Sequence, residues 1–332
     1  MKNLLYLHGL SCGGDTVSLL NAEEPDLLTA LALLDINIAW HPSLSLERGN
    51  DVLEICREFV KGEKTLDFLL VEGAVPTAPR GEGEILMFIE KPYLQWIKDL
   101  SEVARYTVAV GTCATSGGIP ASGSNPTMAS GLQFHRDKAG GVLGEDYRSR
   151  EGLPVINIPG CPAHPDWITE TLYFIVNGEL NMETIDYANR PYVFYNRLAH
   201  HGCPKNEFYE FKSSATEYGQ MGCLFEFLGC RGTQCESDCN ERLWLGRTGS
   251  CTRGGFPCIA CTSQLFPPEN SSFFTTEMTG NIPDALPLDV PKAWYIGITG
   301  LSKMATPERL KIDSVSHRPV YKHWKGGTKS DE

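Results

Sequence analysis

The segment Leu4–Asp15 reads Leu-Leu-Tyr-Leu-His-Gly-Leu-Ser-Cys-Gly-Gly-Asp, an apolar strand-like run that enters a glycine-rich turn carrying a cysteine. A second apolar run, Thr107–Val110, leads to Cys113. A third, Pro154–Ile158, leads to Cys161. In sheets of parallel strands, the loops at the carboxyl ends of the strands lie at one edge and bind ligands there. The sequence therefore predicts three cysteine-bearing loops that converge on one crevice.

Helix-like and strand-like patterns alternate through the first half of the chain. The predicted strands are Leu4–His8, Ile36–Trp40, Asp67–Val71, Thr107–Val110 and Pro154–Ile158. The predicted helices are Thr16–Leu34 with a break at Pro25, Asp51–Lys61, Pro92–Ala104 and Trp167–Val176. Short apolar strands separated by helices predict an α/β fold with a doubly wound parallel sheet that is covered on both faces. Cys56 shares a helical face with Val52 and Phe59, so it is predicted to be a core thiol.

The composition and net charge of the chain limit the classes of molecule that it is expected to bind. The chain has 332 residues and a net charge of −12, which argues against nucleic acid or an anionic membrane as the main partner. The longest apolar stretch, Leu27–Trp40, is interrupted by Asp35 and is too short to span a bilayer. The segment after Met1 lacks the pattern of a signal peptide. We therefore expect a cytoplasmic protein without a transmembrane segment, and peripheral association with a membrane stays open.

The cysteines are unevenly distributed, which suggests two domains. Eight of the twelve lie between Cys203 and Cys261, where glycine, proline and cysteine replace clear periodicity. An irregular domain of this kind needs something other than a large core, and bound clusters would stabilise it. The predicted domains are 1–180 and 181–332, and the second ends in a polar tail from Ser314.

The strongest local metal motif is the Cys-x-x-Cys pair Cys258 and Cys261, which is preceded by Cys230 and Cys239. Such a pair fits zinc, a redox-active disulfide or an iron–sulfur cluster. A zinc site would usually contain two such Cys-x-x-Cys pairs, and this region has one. A thioredoxin-like redox site would lie at a strand-to-helix junction of the first domain. Thiolates at uneven spacing favour iron–sulfur ligation.

Several segments resemble the small subunit of nickel–iron hydrogenases. They are Ser11–Asp15, Val71–Gly73, Gly111–Gly118, Asn157–Pro162 and His200–Cys261, and the similarity runs from the N-terminus to about Phe266. The resemblance implies a flavodoxin-like first domain and a cluster-binding second domain. It also implies an obligate heterodimer, or a dimer of heterodimers, with a large subunit that alone holds the nickel–iron centre. The electron acceptor stays unknown.

The same resemblance implies three clusters and their ligands. The implied proximal [4Fe–4S] ligands are Cys12, Cys113 and Cys161. The implied distal [4Fe–4S] ligands are His200, Cys203, Cys223 and Cys230. The implied medial [3Fe–4S] ligands are Cys239, Cys258 and Cys261. The His-x-x-Cys spacing of the family favours His200 over His201. Cys235 and Cys251 are interpreted as packed thiols, although Cys235 replaces Cys239 if the loop is shifted.

One departure from the family pattern concerns the proximal cluster, where Asp15 stands in place of a cysteine. In one interpretation its carboxylate binds the fourth iron, an arrangement that resembles an oxygen-insensitive, actinobacterial-type group of hydrogenases. In the other, Asp15 only caps the helix that begins near Thr16, and the site holds three irons or uses water. Glu72 lies near the same crevice, either with a role at the site or as a solvated or capping carboxylate.

The implied reaction is the oxidation of dihydrogen to protons and electrons, with this chain as the electron-transfer subunit of an uptake hydrogenase. The alternative is the small subunit of a hydrogen-sensing regulatory hydrogenase. Two further rivals are a subunit related to respiratory complex I and a zinc-stabilised structural protein. The glycine-rich turns lack the Gly-x-Gly-x-x-Gly pattern of nicotinamide sites, and a flavodoxin-like fold does not by itself imply a bound flavin.

Overall fold

The computed structural model describes residues 1–269, 273–280, 282–284, 286 and 290–317. The chain forms two compact units. The first comprises Met1–Asn196 with Cys261–Glu269, and the second comprises Arg197–Ala260 with the described residues of Asn270–Glu332. The division into domains 1–180 and 181–332 that the sequence suggests remains a prediction.

A five-stranded parallel sheet forms the centre of the first unit. Its strands are β1 (Lys2–His8), β2 (Ile36–Trp40), β3 (Phe68–Glu72), β4 (Tyr106–Val110) and β5 (Ile156–Ile158). The strand order is β2–β1–β3–β4–β5, and each neighbouring pair is parallel. Leu69 of β3 pairs with Leu5 of β1 and with Thr107 of β4. This is the doubly wound order of flavodoxin-like proteins, so the predicted fold class is confirmed.

Eleven α-helices lie in the described part of the chain. In the first unit they are α1 (Gly14–Leu19), α2 (Leu27–Leu33), α3 (Asn50–Val60), α4 (Tyr93–Val103), α5 (Gly111–Ser116), α6 (Pro165–Val176) and α7 (Tyr192–Tyr195). In the second unit they are α8 (Asn206–Glu210), α9 (Cys239–Arg242), α10 (Lys292–Ala305) and α11 (Glu308–Ser314). Single turns of 3-10 helix occur at Ile119–Ala121 and Gly232–Gln234.

The predicted helix Thr16–Leu34 is two helices, as the break at Pro25 indicates. The second of them, α2, begins after Asp26, whose side chain accepts hydrogen bonds from the backbone N–H groups of Leu28 and Thr29. Helix α5 was not predicted, because its sequence Gly-Thr-Cys-Ala-Thr-Ser contains mostly residues of low helix propensity. Tertiary contacts at the end of β4 therefore set its conformation.

Both faces of the sheet are covered. Helices α3 and α4 pack on the face that includes Leu5 and Leu7, and Cys56 of α3 is fully buried in that core, as predicted. Leu4 and Tyr6 point to the opposite face and are buried as well. Helices α1 and α6 contact each other. Burial on both faces explains why the strands read as continuous apolar runs instead of alternating patterns.

The remaining strands are short antiparallel pairs. They join Val75–Pro76 with Ala129–Ser130, Met87–Phe88 with Lys91–Pro92, Phe134–His135 with Lys138–Ala139, and Met278–Thr279 with Ile282–Pro283. The described part of the second unit is irregular between its four helices. The longest of these is the unpredicted helix α10, in which Gly297 and Gly300 interrupt the helical pattern of the sequence. No helix among the described residues is long and apolar enough to cross a membrane. Beyond His317, the predicted tail from Ser314 lies outside the described residues.

Candidate metal centres

Three cysteine-bearing loops lie at the carboxyl ends of the central strands. Cys12 follows β1 and is exposed, whereas Cys113 in α5 and Cys161 after β5 are half-buried. The last two loops are joined by backbone and side-chain hydrogen bonds. The Thr112 N–H donates to the Gly160 carbonyl at 2.9 Å, and the Gly160 N–H donates to Thr112 Oγ1 at 2.9 Å. These hydrogen bonds fix the loop of Cys113 against the loop of Cys161.

Asp15 does not cap its own helix. Helix α1 begins at Gly14, and its N-cap position, Gly13, makes no side-chain capping hydrogen bond. The buried carboxylate of Asp15 instead accepts a hydrogen bond from the Ala163 N–H to Oδ1 at 2.7 Å. Oδ2 lies against Gly111, where a Cβ atom would overlap it and where φ is +80°. The carboxylate therefore lies between the turn that precedes Cys113 and the segment that follows Cys161.

Burial and neighbouring charges raise the pKa values of Asp15, Cys113 and Cys161. Burial raises the pKa of Asp15 to about 7, with the charge of Glu72 adding to the effect and the Ala163 N–H opposing it. Burial, Cys161 and Asp15 raise the pKa of the Cys113 thiol to about 12. Burial, Asp15 and Cys12 raise that of Cys161 to about 11. Burial makes the Asp15 carboxyl and the thiols of Cys113 and Cys161 harder to ionise, and a positively charged iron centre would stabilise their anionic forms, so the residues fit an iron–sulfur cluster.

Glu72, at the end of β3, is a fully buried carboxylate and not a solvated one. It accepts hydrogen bonds from Ser11 Oγ at 2.5 Å and from Thr16 Oγ1 at 2.6 Å. It also accepts the first N–H groups of α1, from Thr16 at 2.9 Å and from Asp15 at 3.3 Å. Glu72 therefore caps, from a neighbouring strand, the helix that carries Asp15.

A buried polar network surrounds this carboxylate. Tyr6 donates its hydroxyl to Glu72 at 3.0 Å, and the His8 ring nitrogen Nε2 lies 3.0 Å from the same side chain. Burial on its own would raise the pKa of Glu72, but the hydrogen bonds from His8, Ser11 and Thr16 outweigh it and hold the pKa at about 2. The carboxylate is thus ionised at every physiological pH.

We expect His41 to make the protein sensitive to acid. Burial first, and then the charge of His8, lower the pKa of His41 from 6.5 to about 4, and its Nδ1 accepts the Ser43 N–H at 3.0 Å. Because the unfolded chain binds this proton more readily, the stabilisation is complete above about pH 6.5 and is lost as pH falls towards 4, by about 3 kcal/mol. The thermal denaturation midpoint at pH 5 and at pH 7.5 checks this.

An asparagine at position 41 keeps a hydrogen-bond acceptor but does not titrate. The variant His41→Asn should therefore lose less stability between pH 7.5 and pH 5 than the parent does. His135→Asn, outside this network, serves as the matched control and should keep the parental pH dependence. Equal acid sensitivity in the parent and in His41→Asn would contradict the assignment.

The second unit brings all four predicted distal ligands to one cavity, which is lined by His200, Cys203, Cys223 and Cys230. His201 is exposed and does not line this cavity, whereas His200 packs edge-on against Tyr209 with ring centroids 4.3 Å apart. Burial, together with the charges of His201 and Lys212, lowers the pKa of His200 to about 4. The imidazole is therefore neutral at physiological pH, which is the form that binds metal.

The predicted medial cysteines fall in both units. Cys239 and Cys258 lie in one apolar cluster of the second unit. Cys261 belongs to the first unit, where its backbone carbonyl accepts a hydrogen bond from Thr112 Oγ1.

Two cysteines that were interpreted as packed thiols lie beside Cys239 and Cys258. Cys235 is buried in the same cluster, and its hydrogen bond to Cys258, followed by burial, raises the pKa of Cys258. Cys251 is exposed overall, but its thiol is largely shielded from solvent. This desolvation, followed by the charge of the neighbouring Cys235, raises the pKa of the Cys251 thiol. The only sequence signal for either was its place within the cysteine-rich stretch, which does not tell a ligand from a neighbour.

A mononuclear metal site requires ligands that are closer together than those of an iron–sulfur cluster. Within the described residues, no group of three or more His, Cys, Asp or Glu side chains is arranged to hold one metal ion.

Two family models match the chain. The model for the C-terminal part of the NiFe/NiFeSe hydrogenase small subunit matches residues 195–274. The one described as NADH ubiquinone oxidoreductase, 20 Kd subunit, matches residues 12–175. The first unit is thus shared with the complex I rival, whereas the stretch with His200 and the medial and distal cysteines matches the hydrogenase model.

Characterised relatives match most of the chain. The chain is 35% identical over 285 residues to the F420 non-reducing hydrogenase II small subunit of Methanosarcina mazei, covering 80% of this chain and 73% of the relative. It is 33% identical to the periplasmic NiFeSe hydrogenase small subunit of Desulfomicrobium baculatum, covering 82% of this chain and 87% of the relative.

Solved structures match as well. The actinobacterial-type NiFe-hydrogenase from Ralstonia eutropha H16 superposes with a TM-score of 0.74 at 30% identity, covering 92% of each chain. The recombinant NiFeSe hydrogenase from Desulfovibrio vulgaris Hildenborough gives a TM-score of 0.72 at 30% identity, covering 82% of this chain and 97% of that one.

Proposed function

The chain belongs to the family of nickel–iron hydrogenase small subunits, and from that premise we propose that it relays electrons from dihydrogen through three iron–sulfur clusters to an acceptor. It is part of an oxidoreductase that acts on hydrogen, and its partner is the hydrogenase large subunit with the nickel–iron site. One observation carries the proposal of a relay. The four predicted distal ligands, which are spread over residues 200–230, line a single cavity.

The proposed proximal ligands are Cys12, Asp15, Cys113 and Cys161, which would hold a [4Fe–4S] cluster. Support comes from the buried Asp15 carboxylate, which is oriented by the Ala163 N–H and by the absence of a side chain at Gly111. A carboxylate is a harder ligand than a thiolate, so we propose that it alters the potential of this cluster and makes the enzyme insensitive to oxygen.

The proposed distal ligands are His200, Cys203, Cys223 and Cys230, for a second [4Fe–4S] cluster. The proposed medial ligands are Cys239, Cys258 and Cys261, for a [3Fe–4S] cluster. Cys235 lies close enough to Cys239 and Cys258 to influence both pKa values, and Cys251 influences that of Cys239, so either is a candidate for a fourth medial thiolate. Iron–sulfur clusters supply one-electron transfer, and this chain's residues bind them, limit their contact with water and set their charge environment.

We propose an uptake hydrogenase and keep the hydrogen sensor as the alternative. The two relatives quoted above are named as hydrogenases. Rapid reduction of an artificial acceptor by the purified complex under dihydrogen would support the enzyme. Slow turnover together with a co-purifying kinase would support the sensor.

A count of iron and acid-labile sulfide in the purified heterodimer tests the cluster assignment. We expect about eleven cluster irons, in addition to the iron of the nickel–iron centre. About ten would point to a missing proximal iron and an Asp15 that does not bind. About twelve would show that Cys235 or Cys251 provides a fourth medial thiolate, which a Cys251→Ser variant would resolve. Electron paramagnetic resonance of the oxidised complex distinguishes three-iron from four-iron clusters in the same sample.

We propose a dimer of heterodimers in the cytoplasm as the functional assembly. The relative from Desulfomicrobium baculatum is named as periplasmic, so cell fractionation is the direct test of the location. The mass of the native complex tests the oligomeric state.

A further inference from the structure

A second cavity in the second unit lies next to the proposed distal site. Its volume is about 930 Å³, which is enough for a cofactor-sized organic molecule. Lys205 and Thr252 line both this cavity and the one formed by the distal ligands. The Lys205 backbone N–H also donates to Cys203 Sγ at 3.4 Å. The two cavities therefore have Lys205 and Thr252 as shared lining residues, so a molecule bound in the larger one would lie close to the proposed cluster.

The lining that the two cavities share carries a fixed positive charge. Lys205 Nζ donates to the Met221 carbonyl at 2.7 Å and to the Gly222 carbonyl at 3.1 Å. Arg253 also lines the cavity, is exposed and forms no ion pair with any described residue. No carboxylate occurs among the described residues that line the cavity. On a chain with a net charge of −12, such a cationic recess favours an anionic ligand.

Aromatic side chains provide flat walls. Phe256 is 60% exposed at the cavity, so its ring is available for stacking. Tyr218 is 41% exposed, and its hydroxyl donates to the carbonyls of Leu228 at 3.1 Å and Phe274 at 3.2 Å, which holds its ring in place. Cationic and aromatic groups together suit a planar conjugated molecule that carries negative charge.

We propose that this cavity binds the electron acceptor, a planar anionic compound with a conjugated redox ring of the quinone or flavin type that takes up two electrons and two protons. The inference rests on the proposed function, because the electrons are those delivered to the distal cluster. Two electrons that arrive singly, with two protons from solvent, reduce the ring to its dihydro form. No further reactant is needed.

Equilibrium dialysis of the oxidised heterodimer with anthraquinone-2,6-disulfonate and with flavin mononucleotide tests the site without turnover. We expect at least one of the two compounds to bind. The compound that binds more tightly identifies the type of redox ring that the cavity accepts. Arg253→Glu should weaken its binding by about tenfold and raise the KM of the same acceptor under dihydrogen by a similar factor. The KM for the cationic dye benzyl viologen should fall, because the reversed charge attracts it.

Two further variants separate a specific effect from misfolding. Phe256→Ala should weaken binding of the planar ligand without altering the charge of the cavity. Arg150→Glu makes the same charge change at an exposed arginine of the first unit and should leave both affinities unchanged. The inference is overturned if neither ligand binds the parent, or if Arg253→Glu and Arg150→Glu behave alike. Failure of the proposed function would look different, since the parent would then not reduce benzyl viologen.

Discussion

Alanine in place of Asp15 is expected to remove one iron from the proximal cluster and to leave the other two clusters intact. The carboxylate is buried, it is oriented by the Ala163 N–H at 2.7 Å, and it lies against Gly111. The three cysteines of the crevice, Cys12, Cys113 and Cys161, are already assigned to the other irons and cannot replace it. The cluster iron should fall by about one per heterodimer, and a new three-iron signal should appear in electron paramagnetic resonance.

A cysteine at the same position gives the complementary result. Asp15→Cys should keep the full iron content but shift the potential of the proximal cluster and alter the response of the enzyme to oxygen, because a thiolate is the softer ligand. Asp26→Ala is a matched control, since it removes an exposed carboxylate that caps α2 and should leave every cluster unchanged. Unchanged spectra and an unchanged oxygen response in Asp15→Cys would exclude ligation.

The sequence was sufficient to predict the α/β architecture of the first unit. Its five strands were predicted with small shifts at their ends, because strands buried on both faces read as unbroken apolar runs. The position of Cys12, Cys113 and Cys161 after three of these strands followed from the same pattern. Cys56 was separated from them because it lies on a helix among Val52 and Phe59, where the structure buries it.

What the sequence did not show depends on contacts between distant residues. Glu72 caps α1 by accepting the N–H of Thr16, which lies 56 positions away in the sequence. The residues around Glu72 and around Thr16 contain no signal that predicts this contact. Likewise, the orientation of Asp15 depends on Ala163 and Gly111. The proximity of Cys235 to Cys258 comes from an irregular fold without periodicity, so spacing along the chain could not distinguish it from an unrelated thiol.

Removal of the Glu72 charge is expected to be the most damaging single change in the first unit. The carboxylate accepts hydrogen bonds from two hydroxyls of the crevice, those of Ser11 and Thr16, from the phenol of Tyr6 and from the first N–H groups of α1. Glu72→Gln replaces one acceptor oxygen by a donor that faces other donors. At least one buried group then loses its partner, and we expect the free energy of unfolding to fall by about 3 kcal/mol.

The same change should also reach the cluster, because Glu72 holds the start of α1 and the side chain of Asp15 leaves that turn. We expect the Glu72→Gln complex to denature at a lower temperature and to lose the proximal signal in electron paramagnetic resonance, while the distal signal persists in the second unit. Glu102→Gln makes the same chemical change at an exposed helix position of the first unit, where an effect of less than about 0.5 kcal/mol is expected. If the two variants denature alike and both keep the proximal signal, Glu72 is not the residue that positions Asp15. Loss of stability with a normal proximal signal would separate the two roles and assign Glu72 to folding alone.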